Sequence, residues 1–162
     1  MNKAYLSLGT NLGDKKSNIL FAITQIDSKI GNITAKSHLY ATAPWGFESK
    51  NEFFNMALTV DTCLEPFALL EELKKIENEA GRKKTTSNSY EDRLLDIDLL
   101  LYNDVIFQSE LLEIPHPRLH LRKFVLIPLL DIAPQLVHPV FQKTMIILTE
   151  ICPDTSILRR IG

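Results

Sequence analysis

Four strand-like runs and two helical ones, in the order strand–helix–strand–strand–helix–strand, predict an α+β chain of the ferredoxin-like class. That class is a βαββαβ antiparallel sheet with helices packed on one face, here followed by additional C-terminal elements. Apolar residues alternate with a period of two over 3–9 and 53–62, and recur at helical spacing before Lys29 and before Ala80. A length of 162 residues suits one domain spanning 1–162.

Ala4, Leu6 and Leu8 share one side of the first run, which predicts a strand over 3–9. The GTNLG turn at 9–13 follows it. Asp14 or Ser17 is then placed to cap a helix reaching about Lys29, with Ile19, Ala22, Ile23 and Ile26 inward and Gly31 as its stop. A strand is expected over 33–42 and a loop over 43–51. Along 53–62, Phe54, Met56, Leu58 and Val60 take one face; Phe53, Asn55, Ala57 and Thr59 take the other. The amphipathic segment 65–80 carries Pro66 in its first turn and Gly81 as its stop, the pattern of a helix. Residues 82–91 are polar with nothing to bury, and 95–102 reads as a strand. Six of the eight prolines lie after residue 110 and punctuate the remainder, where helices are expected near 123–132 and 144–151. The segment 144–162 reads as a fold-closing piece.

Composition narrows the function. A net charge of −2 argues against bulk nucleic-acid binding, and no run approaches the ~20 apolar residues of a membrane span. No secretory signal is expected from the opening residues, and two cysteines without a CxxC are expected to give neither a disulfide framework nor a zinc site. Both read as reduced thiols of a cytoplasmic protein. The basic residues gather in two places: Arg82, Lys83, Lys84 and Arg93, then Arg118, Arg122 and Lys123 with His116 and His120. Such clusters suit a small polyanion such as a nucleotide; on composition alone, two solvated basic loops fit equally well.

Asp96 and Asp98 stand two apart inside the most apolar strand, so both carboxylates face the same way while Ile97, Leu99 and Leu101 take the opposite, core-facing side. Like charges held this close need neutralising, which Mg²⁺ does through hard oxygen ligands completed by substrate phosphates. A pair of solvent-facing acids is the alternative. Acids ringed by Arg82, Lys84, Arg93, His116, Arg122 and Lys123 have the charge pattern of a metal–nucleotide site. His116 lies between two prolines, which suits a positioned donor as well as a surface turn. Phe53 and Asn55 set an aromatic plane beside an amide, a pairing able to read a flat heterocycle. No GxxxxGK[ST] is present, so a Walker-type NTPase is not expected.

Seven motifs in order carry a resemblance. They are LGTNLGD at 8–14, TAPWG at 42–46, FNMA at 54–57, Glu77 with Gly81-Arg82, RLLDIDLL at 93–100, IPHPRL at 114–119 and RKFVLIPL at 122–129. Through them the chain resembles the 6-hydroxymethyl-7,8-dihydropterin pyrophosphokinases of folate biosynthesis over nearly its whole length. The resemblance implies transfer of the β,γ-pyrophosphoryl group of ATP to the pterin's hydroxymethyl group, with release of AMP, by a monomer acting on two small molecules. Asp96 and Asp98 would hold two Mg²⁺. Glu77, Lys84, His116 and Arg122 would bind ATP, with Arg82 and Arg93 as loop arginines that help close the site. The pterin would stack between Phe53 and Phe124, its edge read by Asn55 and by the chain around Thr42, Pro44 and Trp45.

The departures gather in the polar loop: Lys84 stands where the family has arginine, Tyr90 supplies the aromatic, and Glu91-Asp92 replaces Gly-Pro before Arg93. Lysine keeps the charge without the bidentate fork. Lys84→Arg is therefore expected to leave kcat intact or raise it; a large loss would mean a loop rebuilt around lysine. A different Mg²⁺-dependent nucleotide enzyme, a non-catalytic module of the same fold and an inactive family member are the competing expectations.

Overall fold

A computed structural model of the chain describes residues 1–43, 51–81 and 94–162. Its main sheet is antiparallel. Strand β1 (Asn2–Thr10) lies between β4 (Phe53–Thr62) and β5 (Asp96–Tyr102), and the far side of β4 is shared end to end by β2 (Gly31–Lys36) and β3 (Tyr40–Thr42). A two-residue strand, β8 (Arg159–Arg160), closes the outer edge of β3. A small hairpin of β6 (Phe107–Gln108) and β7 (Glu113–Ile114) stands apart.

Helices α1 (Lys15–Lys29) and α2 (Pro66–Glu79) follow the expected bounds closely, and Asp14 is the cap of α1, its side chain accepting from Ser17 N at 3.1 Å. Ala4, Leu6, Leu8, Leu58 and Val60 pack against Ile19, Ala22 and Ile26 of α1 and Leu69, Leu73 and Ile76 of α2. Gly31 does more than end α1: a Cβ there would stand 2.0 Å from the Asp61 carbonyl oxygen, so only glycine lets β2 approach β4. The run expected as one strand over 33–42 divides because Ser37 turns its hydroxyl to the sheet and accepts from Ala57 N at 2.8 Å, in place of a backbone carbonyl.

The opposite face of the sheet is covered too. Helices α3 (Lys123–Ile132) and α4 (Met145–Ile151) pack Val125, Leu126, Leu129, Met145 and Leu148 onto Tyr5, Ala57, Leu100 and Leu101. Leu101 therefore departs from expectation. Leu99 pairs with Leu6 and Leu101 with Tyr5, so Leu100 is an extra residue in the ladder; past this bulge Leu101 joins the second core while Ile97, Leu99 and Tyr102 stay in the first. Helix α4 starts at Met145 because Thr144 is its cap, accepting from Ile147 N. Both cysteines are free, and among the described residues no helix is long and apolar enough to cross a membrane.

His138 ties the loop between α3 and α4. Its ring is 3% exposed, stacks on Phe141 at 4.4 Å, and its Nδ1 accepts from the backbone N–H groups of Val140 and Phe141. Burial, with His120 nearby, lowers its pKa from 6.5 to about 4. In that interval the unfolded chain binds a proton that the fold excludes. The stabilisation is therefore full above pH ~6.5 and lost as pH falls toward ~4, with an upper limit on the order of 3 kcal/mol. His138→Asn, whose Oδ1 retains the acceptor without titrating, is expected to flatten the difference in denaturant midpoint between pH 4.5 and 7. An unchanged difference would contradict this.

Candidate active site

The site grows out of the sheet register. Asn55 of β4 lies opposite Gly9 of β1, and Gly9 lies opposite Asp96 of β5; one step along, Ala57, Ser7 and Asp98 form the next row. Neighbouring strands are about 4.8 Å apart, so Asn55 and Asp96 flank Gly9 across about 10 Å. A Cβ built on Gly9 would lie 3.4 Å from Asn55 Oδ1 and 3.9 Å from the Phe53 ring, so glycine leaves the floor between amide and carboxylate open. Thr42 pairs with Phe53 and brings β3 to the same end.

A pocket opens over this floor, walled by Thr42, Phe53 and Asn55 on one side, Asp96 and Asp98 on the other, with Arg122 and Phe124 above. Seven of the predicted site residues thus meet in one place. Arg122, 2% exposed, directly precedes α3, and its guanidinium carbon lies 5.4 Å from the centroid of the Phe124 ring. Burial lowers its pKa to about 10, which leaves it cationic at neutral pH. Asn55 and Thr42 are 2% and 3% exposed, and neither Asn55 Nδ2 nor Thr42 Oγ1 has a hydrogen-bond partner among the described residues. A buried amide donor and a buried hydroxyl left in this state are costly unless a ligand completes them.

Two further predicted residues lie nearby, outside the pocket wall. Glu77 of α2 is buried behind β5, where its Oε2 accepts from Ile97 N at 2.8 Å, between the two aspartates. His116 lines a neighbouring groove with Phe107, Glu113, His120 and Phe141. Its N–H donates to Leu100 O at 2.8 Å and its Nδ1 accepts from Arg118 N at 3.1 Å, which puts the proton of the neutral ring on Nε2. Burial lowers the His116 pKa; Asp96 opposes that shift and Arg118 adds to it. Lys123 leaves the basic cluster expected from its position. Its Nζ donates to Thr149 O and its N–H to Asp154 Oδ2, because α3 turns that residue toward the C-terminal segment. Pro44, Trp45, Arg82, Lys84 and Arg93, with Tyr90, Glu91 and Asp92, lie outside the described residues.

Residues to which the motifs assign no role complete the arrangement. Ser7 and Gly9 form the floor; their parity, opposite to Leu6 and Leu8, was the available signal. Thr10 Oγ1 donates to Leu94 O and accepts from Asn18 Nδ2, so with Glu77 it anchors the start of β5 from a second direction. These partners are 84 and 20 residues away from it in sequence, and no local pattern reveals them. The donor set fits Mg²⁺: two carboxylates on one strand face, beside cationic groups that would meet phosphate. Among the described residues no three metal-binding side chains gather as a cage, here or elsewhere, so an ion at this pair would need oxygens from a substrate.

The family described as 7,8-dihydro-6-hydroxymethylpterin-pyrophosphokinase matches residues 5–134. The 2-amino-4-hydroxy-6-hydroxymethyldihydropteridine pyrophosphokinase of Aquifex aeolicus is 41% identical over 145 residues, covering 90% of this chain and 89% of that protein. The Bacillus subtilis protein of the same name is 40% identical over 135 residues, covering 83% and 80%. Among solved structures, the Plasmodium falciparum HPPK-DHPS superposes with a TM-score of 0.74 at 19% identity, over 92% of this chain and 43% of that one. This chain thus spans less than half of that longer protein, and the superposition speaks to the fold.

Proposed function

The chain belongs to the 7,8-dihydro-6-hydroxymethylpterin-pyrophosphokinase family, and from that premise we propose that it transfers the pyrophosphoryl group of ATP to the hydroxymethyl oxygen of 6-hydroxymethyl-7,8-dihydropterin, a step of folate biosynthesis. One observation carries the assignment to this pocket. Asn55 and Thr42 offer buried, uncompleted polar atoms beside Phe53 and Phe124, while the opposite wall carries Asp96 and Asp98. A flat ring with a polar edge satisfies the first half; a phosphate chain bearing Mg²⁺ satisfies the second.

In the reaction the pterin hydroxyl oxygen forms a bond to the β-phosphorus of ATP, the bond from that phosphorus to the bridging oxygen on the α-phosphate breaks, and AMP leaves; the hydroxyl proton goes to solvent. Phosphoryl-type transfer asks a protein mainly for alignment and charge neutralisation. Phe53 and Phe124 sandwich the ring, and Asn55 and Thr42 fix its rotation so that the hydroxymethyl group points across Gly9 toward Asp96. Asp96 and Asp98 would hold two Mg²⁺, which when bound neutralise phosphate oxygens and make the hydroxyl more acidic. Arg122, joined by Lys84, takes the remaining phosphate charge, and the neutral His116 ring donates its Nε2–H to a phosphate oxygen. By the family resemblance, Arg82 and Arg93 would add their charge to the same phosphates. Glu77, which resemblance puts with ATP, acts by holding Ile97, and with it the spacing of the two aspartates. On this reading the protein works as a single catalytic domain, monomeric and cytoplasmic, with neither nucleic acid nor membrane as a partner.

Purified protein incubated with Mg²⁺, ATP and the pterin, with products resolved by chromatography, tests this. AMP and pterin pyrophosphate are expected to rise together and only with both substrates. ADP or phosphate released without pterin would mean a hydrolase. Omission of Mg²⁺ is expected to stop the reaction.

A further inference from the structure

We propose that the C-terminal strand β8, which lies past the family-matched residues 5–134, is a positioning element for the pterin end of the pocket. The inference rests on the pocket assignment above. Thr42 belongs to a strand of only three residues, and its partner Phe53 is the first residue of β4. A strand this short, held on one side alone, frays easily. Its outer side is clasped by the chain end. Tyr40 pairs with Arg160 and Ala41 with Arg159. Leu39 N donates to Gly162 O at 2.6 Å, and Ile161 N donates to Leu39 O at 2.8 Å. Ile161 also packs against the first core.

The same segment reaches the other half of the pair. Arg159 Nη2 donates to Glu52 Oε1 at 3.1 Å, and the carbonyl of Glu52, one residue before Phe53, accepts from Lys15 Nζ at 3.2 Å. The Arg159 and Glu52 side chains are 65% and 46% exposed, so their ion pair adds little to global stability. Register is where the clasp acts. It holds Thr42 and Phe53 as opposed partners, the alignment that aims a hydroxyl and an aromatic ring at one ligand. Asp96 and Asp98 stand on β5, at the opposite edge of the sheet from β8.

Ile161→Pro removes the N–H donated to Leu39 O, and Ile161→Ala keeps it while losing the packing. Calorimetry with 6-hydroxymethyl-7,8-dihydropterin, and separately with α,β-methylene-ATP, should show the proline variant weakening pterin binding at least fivefold. Binding of the nucleotide analogue should stay within twofold, and the alanine variant should stay within twofold for both ligands. Binding linkage is reciprocal. In the wild-type chain, pterin is therefore expected to slow hydrogen exchange at the Leu39 and Ile161 amides several-fold, a readout that needs no variant to fold. The inference is overturned if both ligands weaken alike, if alanine matches proline, or if pterin leaves those two amides unchanged. A wild-type chain that binds no pterin at all would instead overturn the pocket assignment itself.

Discussion

Replacing Asp96 or Asp98 by alanine is expected to lower the rate of pyrophosphoryl transfer by about a thousandfold or more, with the fold intact. Both side chains are half-buried on the pocket face of β5, and the strand is held by other means: pairing with β1, Glu77 on Ile97, and Thr10 on Leu94. Removing one carboxylate relieves like-charge repulsion, so thermal stability should hold or rise slightly. Asparagine at either position keeps the shape, loses the charge and should fail almost as badly. The check is AMP release under saturating Mg²⁺, ATP and pterin, paired with a melting curve. A correctly folded variant with near-wild-type turnover would remove these residues from the chemistry.

Phe124→Ala is expected to weaken pterin binding by one to two orders of magnitude, about 1–3 kcal/mol of stacking and burial, while nucleotide binding changes little. The ring lines the pocket, is partly buried against the second core, and lies beside the Arg122 guanidinium. Its loss takes away one wall of the aromatic slot and the cation–π contact that helps orient Arg122. The nucleotide should therefore suffer at most a small secondary effect. Calorimetry with each ligand separates the two, and equal losses would contradict the stacking role.

Much of the architecture was legible in local pattern. The period-two alternation over 53–62 matches β4 at both ends, and the i, i+3, i+4, i+7 spacing of Ile19, Ala22, Ile23 and Ile26 gives α1 its inward face. The pairing of Asp96 with Asp98 on one face, and of Phe53 with Asn55, follows from parity alone. So does the pocket floor, once Ser7 and Gly9 are read as the residues opposite Leu6 and Leu8.

Helical and extended backbones impose fixed side-chain periods on neighbours in the chain, so the elements, their order and the chemistry of each strand face are written in local pattern. Long-range packing sets the rest. The bulge at Leu100, which turns Leu101 to the second core, exists because β5 must match β1. The division of β2 from β3 depends on an Ala57 amide 20 residues from Ser37. Glu77 reaches Ile97 across the same distance in sequence, Lys123 is drawn off to Thr149 and Asp154, and the chain end returns to clasp β3. Each of these is set by a partner far away in sequence, whose identity leaves no imprint on the local period.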